Sequence, residues 1–156
     1  MGDFEHVAVD GRYALVFVAF NTFFGLPSQE AQVRCFARVA ERLTGDGVFV
    51  IEAFVPDPTR FDGGQRVGVV DMGVDSMQLE ASVHDPLTQV IKSQHVVVTD
   101  GTVTTYPVQV RYAWPAELDL MARLAGLGLR ERWSDWSRSP FTAASRSHVS
   151  VYERAR

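Results

Sequence analysis

Two continuous apolar runs, at 13–20 and 48–55, flank an amphipathic segment near the start of the chain. Strands that lack polar alternation are typical of parallel sheets that are buried on both faces. Between the two runs, apolar residues recur at three- and four-residue steps over 28–43, which is the spacing of an amphipathic helix. The pattern therefore predicts a strand–helix–strand unit over 13–54, with the right-handed crossover that joins parallel strands.

The two ends of this helix carry their own signals. Ser28 follows Pro27, and its hydroxyl can accept a hydrogen bond from a free backbone N–H of the first turn. Gly45 and Gly47 can adopt the left-handed conformation that ends many helices. We therefore expect a helix that begins after Ser28 and a turn over 44–47 that leads into the second strand.

The middle of the chain has a different pattern. Pro56-Asp57-Pro58 interrupts the apolar runs, and Asp100-Gly101 is a strong signal for a two-residue hairpin turn. Apolar Leu79, Ala81 and Val83 alternate with polar residues, which predicts a sheet with one dry face and one wet face. The strand-like runs of this antiparallel meander lie at 66–72, 76–84, 89–99 and 102–112.

A second helix and two closing strands are predicted in the last third of the chain. Pro115 suits the first position of a helix over 115–127, because proline has no backbone N–H to contribute there. Two further runs with strand character follow at 129–136 and 148–153.

Length, charge and cysteine content exclude several classes of protein. A chain of 156 residues fits one domain, and its net charge of −4 gives no electrostatic reason to expect nucleic acid or an anionic membrane. Cys35 is the sole cysteine, so neither an intrachain disulfide nor a thiolate metal site is expected. The four histidines have no ligand-like spacing, and no run is long enough to cross a bilayer. We expect a cytoplasmic protein without a metal.

Three polar groups near the strand ends are candidates for ligand binding. Asp3-Phe4 could hold a purine, with the carboxylate accepting from an amine and the ring stacking; a frayed terminus is the alternative. Phe20-Asn21-Thr22 follows the first strand, where open parallel sheets bind ligands, although a capped loop explains it equally well. Glu52 lies in the second strand and needs either a cavity edge or an arginine partner.

The meander contributes candidates for the substrate side of a site. His95 could act as a base or as a substrate contact, with a solvated side chain as the alternative. Arg111 and Tyr112 are further candidates, at the end of the last meander strand. The same set includes His84, earlier in the meander, and Trp114, just after it.

The whole pattern resembles the class I S-adenosylmethionine-dependent methyltransferases, in particular the small-molecule branch that includes amino-sugar N-methyltransferases. The resemblance covers nearly the whole chain and implies an α/β fold: a partial Rossmann-like sheet with strand order 4-5-7-6 and an inserted antiparallel meander. The residues that carry it are Gly2-Asp3-Phe4, residues 13–22, Gln32-Val33-Arg34-Cys35-Phe36 and residues 47–52.

The resemblance assigns a place to each segment. The chain would be a single domain, with 1–55 and 113–156 as the methyltransferase core and 56–112 as the insertion. Asp3 and Phe4 would match the adenine-contacting pair, and the meander would shape substrate specificity or a dimer contact. The implied core elements are the fourth strand at 14–21, its helix at 28–43, the fifth strand at 48–55, the last helix at 115–127 and the final hairpin at 129–136 and 147–153.

The sequence departs from the family pattern in two ways. Ala14 stands where an aspartate is usual, and the first three strands, with the glycine-rich loop and the ribose-binding acid, have no counterpart. The resemblance is therefore to a C-terminal portion, and we expect the chain by itself to bind S-adenosylmethionine poorly. The strand at 14–20 would become a sheet edge with unpaired backbone groups.

These departures leave alternatives to a complete methyltransferase. A non-catalytic interaction module could pair the edge at 14–20 with a second copy or with a separately encoded N-terminal half. A lipocalin-like barrel built on the meander is disfavoured, because the predicted helices do not belong in an up-and-down barrel.

Overall fold

The computed structural model describes residues 10–155, so the predicted Asp3 and Phe4 contacts lie outside the described residues. Residues 10–56 and 113–155 form one compact unit, and residues 57–112 form another. The helices are α1 (Gln29–Arg42) and α2 (Pro115–Leu124). The strands are β1 (Tyr13–Val18), β2 (Leu43–Phe54), β3 (Gln65–Met72), β4 (Ser76–Asp85), β5 (Val90–Thr99), β6 (Thr102–Arg111), β7 (Leu127–Trp133) and β8 (Ser147–Arg154).

The first unit contains a four-stranded sheet with the order β1-β2-β8-β7. β1 and β2 are parallel, whereas β8 is antiparallel to both β2 and β7. α1 connects the parallel pair, as the pattern over 13–54 predicts. The order also confirms the predicted 4-5-7-6 arrangement of a partial methyltransferase sheet.

Aromatic side chains fix α1 onto one face of this sheet. The ring of Phe36 packs edge-on against Phe49 of β2 at 5.3 Å and against Tyr152 of β8 at 5.4 Å. Phe23, which follows β1, also packs edge-on against Phe36, with 5.4 Å between ring centroids. All four side chains are fully buried, so this cluster is the core that holds β1, α1 and β2 in place.

The opposite face of the sheet is open at β1. The continuous apolar run predicts burial on both faces, but Leu15 is 54% exposed and Phe17 is 63% exposed. Val16 and Val18 point to the α1 side and are half-buried. β1 is also an edge strand in the described sheet, as expected for the strand at 14–20.

The predicted turn over 44–47 is wrong. This segment lies inside β2, and α1 runs directly into the strand at Leu43 in an extended conformation. The register with β1 jumps from Tyr13–Leu43 to Leu15–Val48, so the additional residues form a bulge. A Cβ at Gly47 would lie 2.8 Å from the Tyr13 carbonyl oxygen, so glycine permits a close backbone approach here and does not end the helix.

The second unit is the predicted antiparallel meander, with the order β3-β4-β5-β6. Asp100 and Gly101 both have positive φ, of 50° and 75°, which confirms the tight hairpin between β5 and β6. The assignment of its faces is the reverse of the expected one. Val83 and Ala81 are exposed, whereas Ser82 between them is buried.

The last elements lie close to their predicted positions. α2 begins at Pro115, as expected, but ends at Leu124, and Gly126, two residues later, adopts a positive φ of 74°. β7 and β8 form the closing hairpin. Within residues 10–155, no helix has the length and apolar character needed to cross a membrane.

Candidate functional site

The chain turns sharply after the carboxyl end of β1, at two successive residues in the left-handed conformation. Phe20 and Asn21 have φ angles of 56° and 60°, which are unfavourable for residues with a Cβ. Two hydrogen bonds hold the turn against β2: Phe20 N donates to Glu52 Oε2 at 3.0 Å, and Phe54 N donates to Asn21 Oδ1 at 2.7 Å. Strain that is held in place in this way is frequent at ligand sites.

The same turn presents an aromatic ring to solvent. The side chain of Phe20 is 86% exposed, whereas the next two aromatic residues, Phe23 and Phe24, are fully buried. Thr22 N donates to the Ala19 carbonyl at 3.1 Å and starts the short 3-10 helix Thr22–Gly25 that carries those anchors. The three predicted residues 20–22 therefore form one turn with an open aromatic face.

Among residues 10–155, Glu52 has no arginine partner. Its carboxylate accepts from the Phe20 amide, so it fixes the shape of the turn. Phe54 was not identified from the sequence, because it contributes to the turn through its backbone N–H, which donates to Asn21. A long-range backbone contact of this kind leaves no signal in a single sequence.

Tyr112 and His84 form a second cluster, within the meander unit. The Tyr112 hydroxyl lies 3.0 Å from Nε2 of His84, and the His84 ring stacks on Phe61 with 4.7 Å between centroids. Tyr112 is buried, so its hydroxyl is held in a fixed position.

Gln89 connects Arg111 to Tyr112. Arg111 Nη2 donates to Gln89 Oε1 at 3.1 Å, and Gln89 Nε2 donates to the Tyr112 carbonyl at 3.1 Å. Gln89 itself has a positive φ of 57° at the turn before β5. The structure thus brings Arg111 and Tyr112 together through a residue that the sequence analysis did not identify.

His95 lies apart from this pair. It sits on β5 opposite Glu80, with 3.9 Å between His95 Nε2 and Glu80 Oε2, whereas Arg111 is opposite Val90. Five residues along a strand span about 16 Å, so His95 and Arg111 do not share one contact shell. The predicted substrate-side residues therefore form two clusters.

A set of polar side chains surrounds His95 on one face of the meander. Arg66 Nη1 lies 3.6 Å from Glu80 Oε1, and the Ser82 hydroxyl donates to the same oxygen at 2.7 Å. Ser82 Oγ is also 2.8 Å from Ser93 Oγ. The buried Nδ1 of His95 has no hydrogen-bond partner among residues 10–155. Residues at equal distances from a hairpin turn face each other. The turn that pairs Asp85 with Val90 therefore places Glu80 opposite His95.

A buried polar network joins α2 to the closing hairpin. Arg132 binds Asp119 with two nitrogens, Nη2 to Oδ1 at 2.5 Å and Nη1 to Oδ2 at 3.3 Å. The Tyr152 hydroxyl donates to Asp119 Oδ1 at 3.0 Å, and Arg132 Nε donates to Ser150 Oγ at 2.8 Å. His148 Nδ1 contacts the same serine at 2.8 Å.

Burial and charge shift the pKa values within this network. Burial, reinforced by the nearby Arg132 charge, lowers the pKa of His148 from 6.5 to about 4, so this imidazole is neutral at pH 7. Burial and the Asp119 charge raise the pKa of Tyr152. Burial opposes the charge of Arg132, but its hydrogen bond to Asp119 and the neighbouring Tyr152 raise its pKa overall. The network therefore keeps one fixed ion pair in the core of the unit.

Comparison with known proteins identifies this fold. The chain is 31% identical over 156 residues to the cypemycin N-terminal methyltransferase of a Streptomyces species, a match that covers 98% of this chain and 63% of that protein. It is 42% identical to the CcbJ methyltransferase of Streptomyces caelestis, whose structure superposes with a TM-score of 0.95 over 100% of this chain and 63% of that one. The chain is a homologue of the C-terminal portion of S-adenosylmethionine-dependent methyltransferases.

The methyltransferase fold extends to more distant structures. CalS10, an amino pentose methyltransferase from Micromonospora echinaspora, superposes with a TM-score of 0.69 at 18% identity, over 99% of this chain and 63% of that one. No protein-family model matches the chain. The chain spans 63% of the length of each of the three methyltransferases named here.

The methyltransferase relationship gives the turn after β1 a context. In open α/β sheets, ligands bind beyond the carboxyl ends of the parallel strands, and residues 20–22 lie there. Among residues 10–155, no group of three or more His, Cys, Asp or Glu side chains is placed to hold a metal ion.

Proposed function

We propose that this chain is the C-terminal part of an S-adenosylmethionine-dependent methyltransferase that acts on an N or O nucleophile of a small molecule. One similar protein is named for the N-terminus of cypemycin, and another is named for an amino pentose. Both names describe acceptors that contain nitrogen, which favours an amine nucleophile.

The observation that carries this proposal is the strained turn at Phe20 and Asn21. It lies at the carboxyl end of a parallel strand, is fixed by hydrogen bonds to β2, and presents an exposed ring. We propose that Phe20 packs against the cofactor and that Asn21 and Thr22 shape the backbone beside it. Asp3 and Phe4 remain predicted contacts for the adenine. When bound, the cofactor supplies a methyl group on a sulfonium centre.

The described residues provide one wall for the cofactor and do not enclose it. Leu15 and Phe17 leave the open face of β1 exposed, directly before the turn. We propose that a further strand and its glycine-rich loop pair with β1 and complete the site, either from a preceding segment or from a separately encoded N-terminal half. Pairing of two copies through the same edge is the alternative.

The chain itself has to position the acceptor and remove its proton. His95, Arg111 and Tyr112 are the proposed residues for the substrate side. His95, whose Nε2 lies 3.9 Å from Glu80 Oε2, is the proposed base or substrate contact. Arg111 and Tyr112 are held by Gln89, which suits them to orient the acceptor.

Isothermal titration calorimetry with S-adenosylhomocysteine tests whether the cofactor site needs completion. The chain by itself is expected to give no saturable heat, because the wall formed by residues 20–22 encloses too little of the ligand. Saturable micromolar binding by the isolated chain would show that residues 1–156 already contain a sufficient site.

A non-catalytic interaction module is the second candidate function. The exposed apolar residues at the β1 edge favour it, because an open edge can add a strand from another chain. Size-exclusion chromatography with light scattering on Phe17→Glu distinguishes the readings. An edge dimer would dissociate in this variant, whereas a chain that uses its edge only for its own missing strand would not change mass.

A further inference from the structure

Strained backbone in the first unit is concentrated at one edge of its sheet. Its described non-glycine residues with a positive φ are Phe20, Asn21 and Arg138. Arg138 follows β7, which runs in the same direction as β2, because β8 is antiparallel to both. The loop that carries Arg138 therefore lies at the same carboxyl edge as the turn at Phe20 and Asn21.

Cross-strand register shows how far this loop is from the turn after β1. Glu52, which holds the Phe20 amide, is opposite Val149, and Val149 is opposite Trp133 at the end of β7. Neighbouring strands are about 4.8 Å apart, so Glu52 and Trp133 are about 10 Å apart across the sheet. A molecule with the length of about three extended residues spans this distance.

Hydrogen bonds within the loop after β7 hold it in one shape. Ser134 N donates to the Ser139 carbonyl at 2.9 Å, and Arg138 N donates to the Asp135 carbonyl at 3.2 Å. The carboxylate of Asp135 accepts from the amides of Ser137 and Ser139, at 2.8 and 3.1 Å. The acidic group of this loop therefore stabilises its backbone and does not neutralise an arginine.

The guanidinium of Arg138 lies over an aromatic ring. Its Cζ is 4.7 Å from the centroid of the Trp133 ring, which also packs against the buried cluster of Val50, Val149 and Val151. Among residues 10–155, no carboxylate forms an ion pair with Arg138. Stacking covers one face of a guanidinium and leaves the N–H groups at its edge free to donate.

Arg146 places a second cation on the same edge. Its carbonyl accepts from Val55 N at 2.8 Å, one residue beyond the Phe54 amide that holds Asn21. The side chain of Arg146 is exposed and forms no ion pair with a described residue. Since the nearby carboxylates of Glu52 and Asp135 accept from backbone amides, the groups left to bind a ligand here are the two guanidiniums.

We propose that Arg138 selects acceptors that carry a carboxylate and holds that group beside the Trp133 ring. This selection rests on the proposed function, because that function places the reacting amine of the acceptor at the cofactor wall of residues 20–22. Arg138 has a φ of 63°, a conformation that disfavours arginine and suits glycine. Strain of this kind is retained where the side chain has a function.

The geometry of the cation favours a carboxylate over other anions. The two oxygens of a carboxylate match two donors of one guanidinium in a single plane, and the stacked Arg138 presents such a planar edge. Arg146 adds a second positive charge that attracts the acceptor to this edge.

NMR titration of the full chain tests the selection without cofactor or methyl transfer. N-acetylglycine carries a carboxylate, and N-acetylglycinamide is the matched probe without one. N-acetylglycine is expected to give saturable shifts of the Arg138 Nε–H and Trp133 indole N–H signals, whereas the amide gives none. The Nε–H of Arg38, which is paired with Glu41, should respond to neither probe. A failure of the chain to bind cofactor would not affect this readout, so the two proposals fail separately.

Three variants separate the guanidinium from the fold of the loop. Arg138→Gly removes the side chain at a φ that glycine accepts, so the circular dichroism spectrum should be unchanged and the Trp133 response should be lost. Arg138→Lys keeps the charge without the planar fork and is expected to weaken binding several-fold. Asp100→Gly makes the same kind of change at a φ of 50° in the second unit and should keep the wild-type response.

Four results would overturn the proposal. The first is the absence of a saturable Arg138 shift at tens of millimolar N-acetylglycine, and the second is an equal shift with the amide. The third is tighter binding of inorganic phosphate, which would assign the loop to a different anion. The fourth is a wild-type Trp133 response in folded Arg138→Gly. If that variant loses its spectrum, Arg138→Gln replaces it, with the same expected loss of response.

Discussion

Asp119 and Arg132 form the largely buried ion pair of the first unit, and each depends on the other. Replacing Asp119 by Ala leaves the guanidinium without its carboxylate, and is expected to lower the free energy of unfolding by about 3 kcal/mol. Urea denaturation measures this change. Glu41→Ala removes one partner of the exposed pair with Arg38 and should change the same quantity by less than about 1 kcal/mol. Equal effects of the two variants would contradict the role assigned to Asp119.

His148 makes stability depend on pH. Its pKa is lowered to about 4 in the folded chain, so between about 4 and 6.5 the unfolded chain binds more protons than the folded chain. The contribution of His148 to the free energy of unfolding is therefore fully present above pH 6.5. It is lost as the pH falls toward 4, by roughly 3 kcal/mol in total. Unfolding free energies of wild type and His148→Gln, measured across this range, should converge as the pH falls. Parallel profiles would exclude His148 as the cause.

Asn21 stabilises the turn after β1 through its side-chain oxygen. Asn21→Ala removes the acceptor for Phe54 N and places alanine at a φ of 60°. The free energy of unfolding should therefore fall by about 2 kcal/mol. Asn21→Asp keeps the oxygen and should stay close to wild type. Thermal unfolding followed by circular dichroism separates the two. A wild-type melting temperature in Asn21→Ala would argue that the turn is not held by this bond.

At the scale of single elements, the start of α1 depends on Ser28. Its Oγ accepts from Ala31 N at 3.2 Å, as the sequence predicts for a helix cap. Ser28→Ala is expected to cost about 1 kcal/mol of stability, whereas Ser28→Asp keeps an acceptor and should cost little. Urea titration of both variants checks this. A larger loss in the aspartate variant than in the alanine variant would contradict capping.

The elements that sequence patterns could locate are those set by local chemistry. Ser28, Pro115 and Asp100-Gly101 act through their own backbone or nearest neighbours, and each marks the boundary that the structure has. The glycines before Val48 failed as turn signals, because Gly47 serves a contact with β1 that lies far away in sequence.

The sequence did not predict which face of each strand is exposed or which residues meet at the sites, because both depend on what packs against each element. Alternation in β4 identified two faces correctly but not which one is open, since Ser82 is buried by its neighbours and Val83 is not. The hydrogen bond from Phe54 N to Asn21 and the bridge through Gln89 depend on tertiary register. The roles of His95, Arg111 and Tyr112 stay predictions.

At the scale of the whole molecule, the sheet order β1-β2-β8-β7 and the similarity to CcbJ agree on one interpretation. The sheet has the strand order of the carboxyl-terminal part of a methyltransferase sheet. The proposed cofactor wall is the turn at the exposed Phe20, beside the open edge of β1. The central claim is that this wall works once a strand and a glycine-rich loop are added beside β1.

Complementation tests that claim most directly. The chain is joined to the N-terminal portion of the CcbJ methyltransferase that it does not match, and S-adenosylhomocysteine binding is measured by calorimetry. The fusion should bind at micromolar concentration, Phe20→Ala in it should bind roughly 10-fold more weakly because a stacking ring is lost, and the exposed Leu129→Ala should not differ. A folded fusion that gives no binding, or one that Phe20→Ala leaves unchanged, would contradict the account.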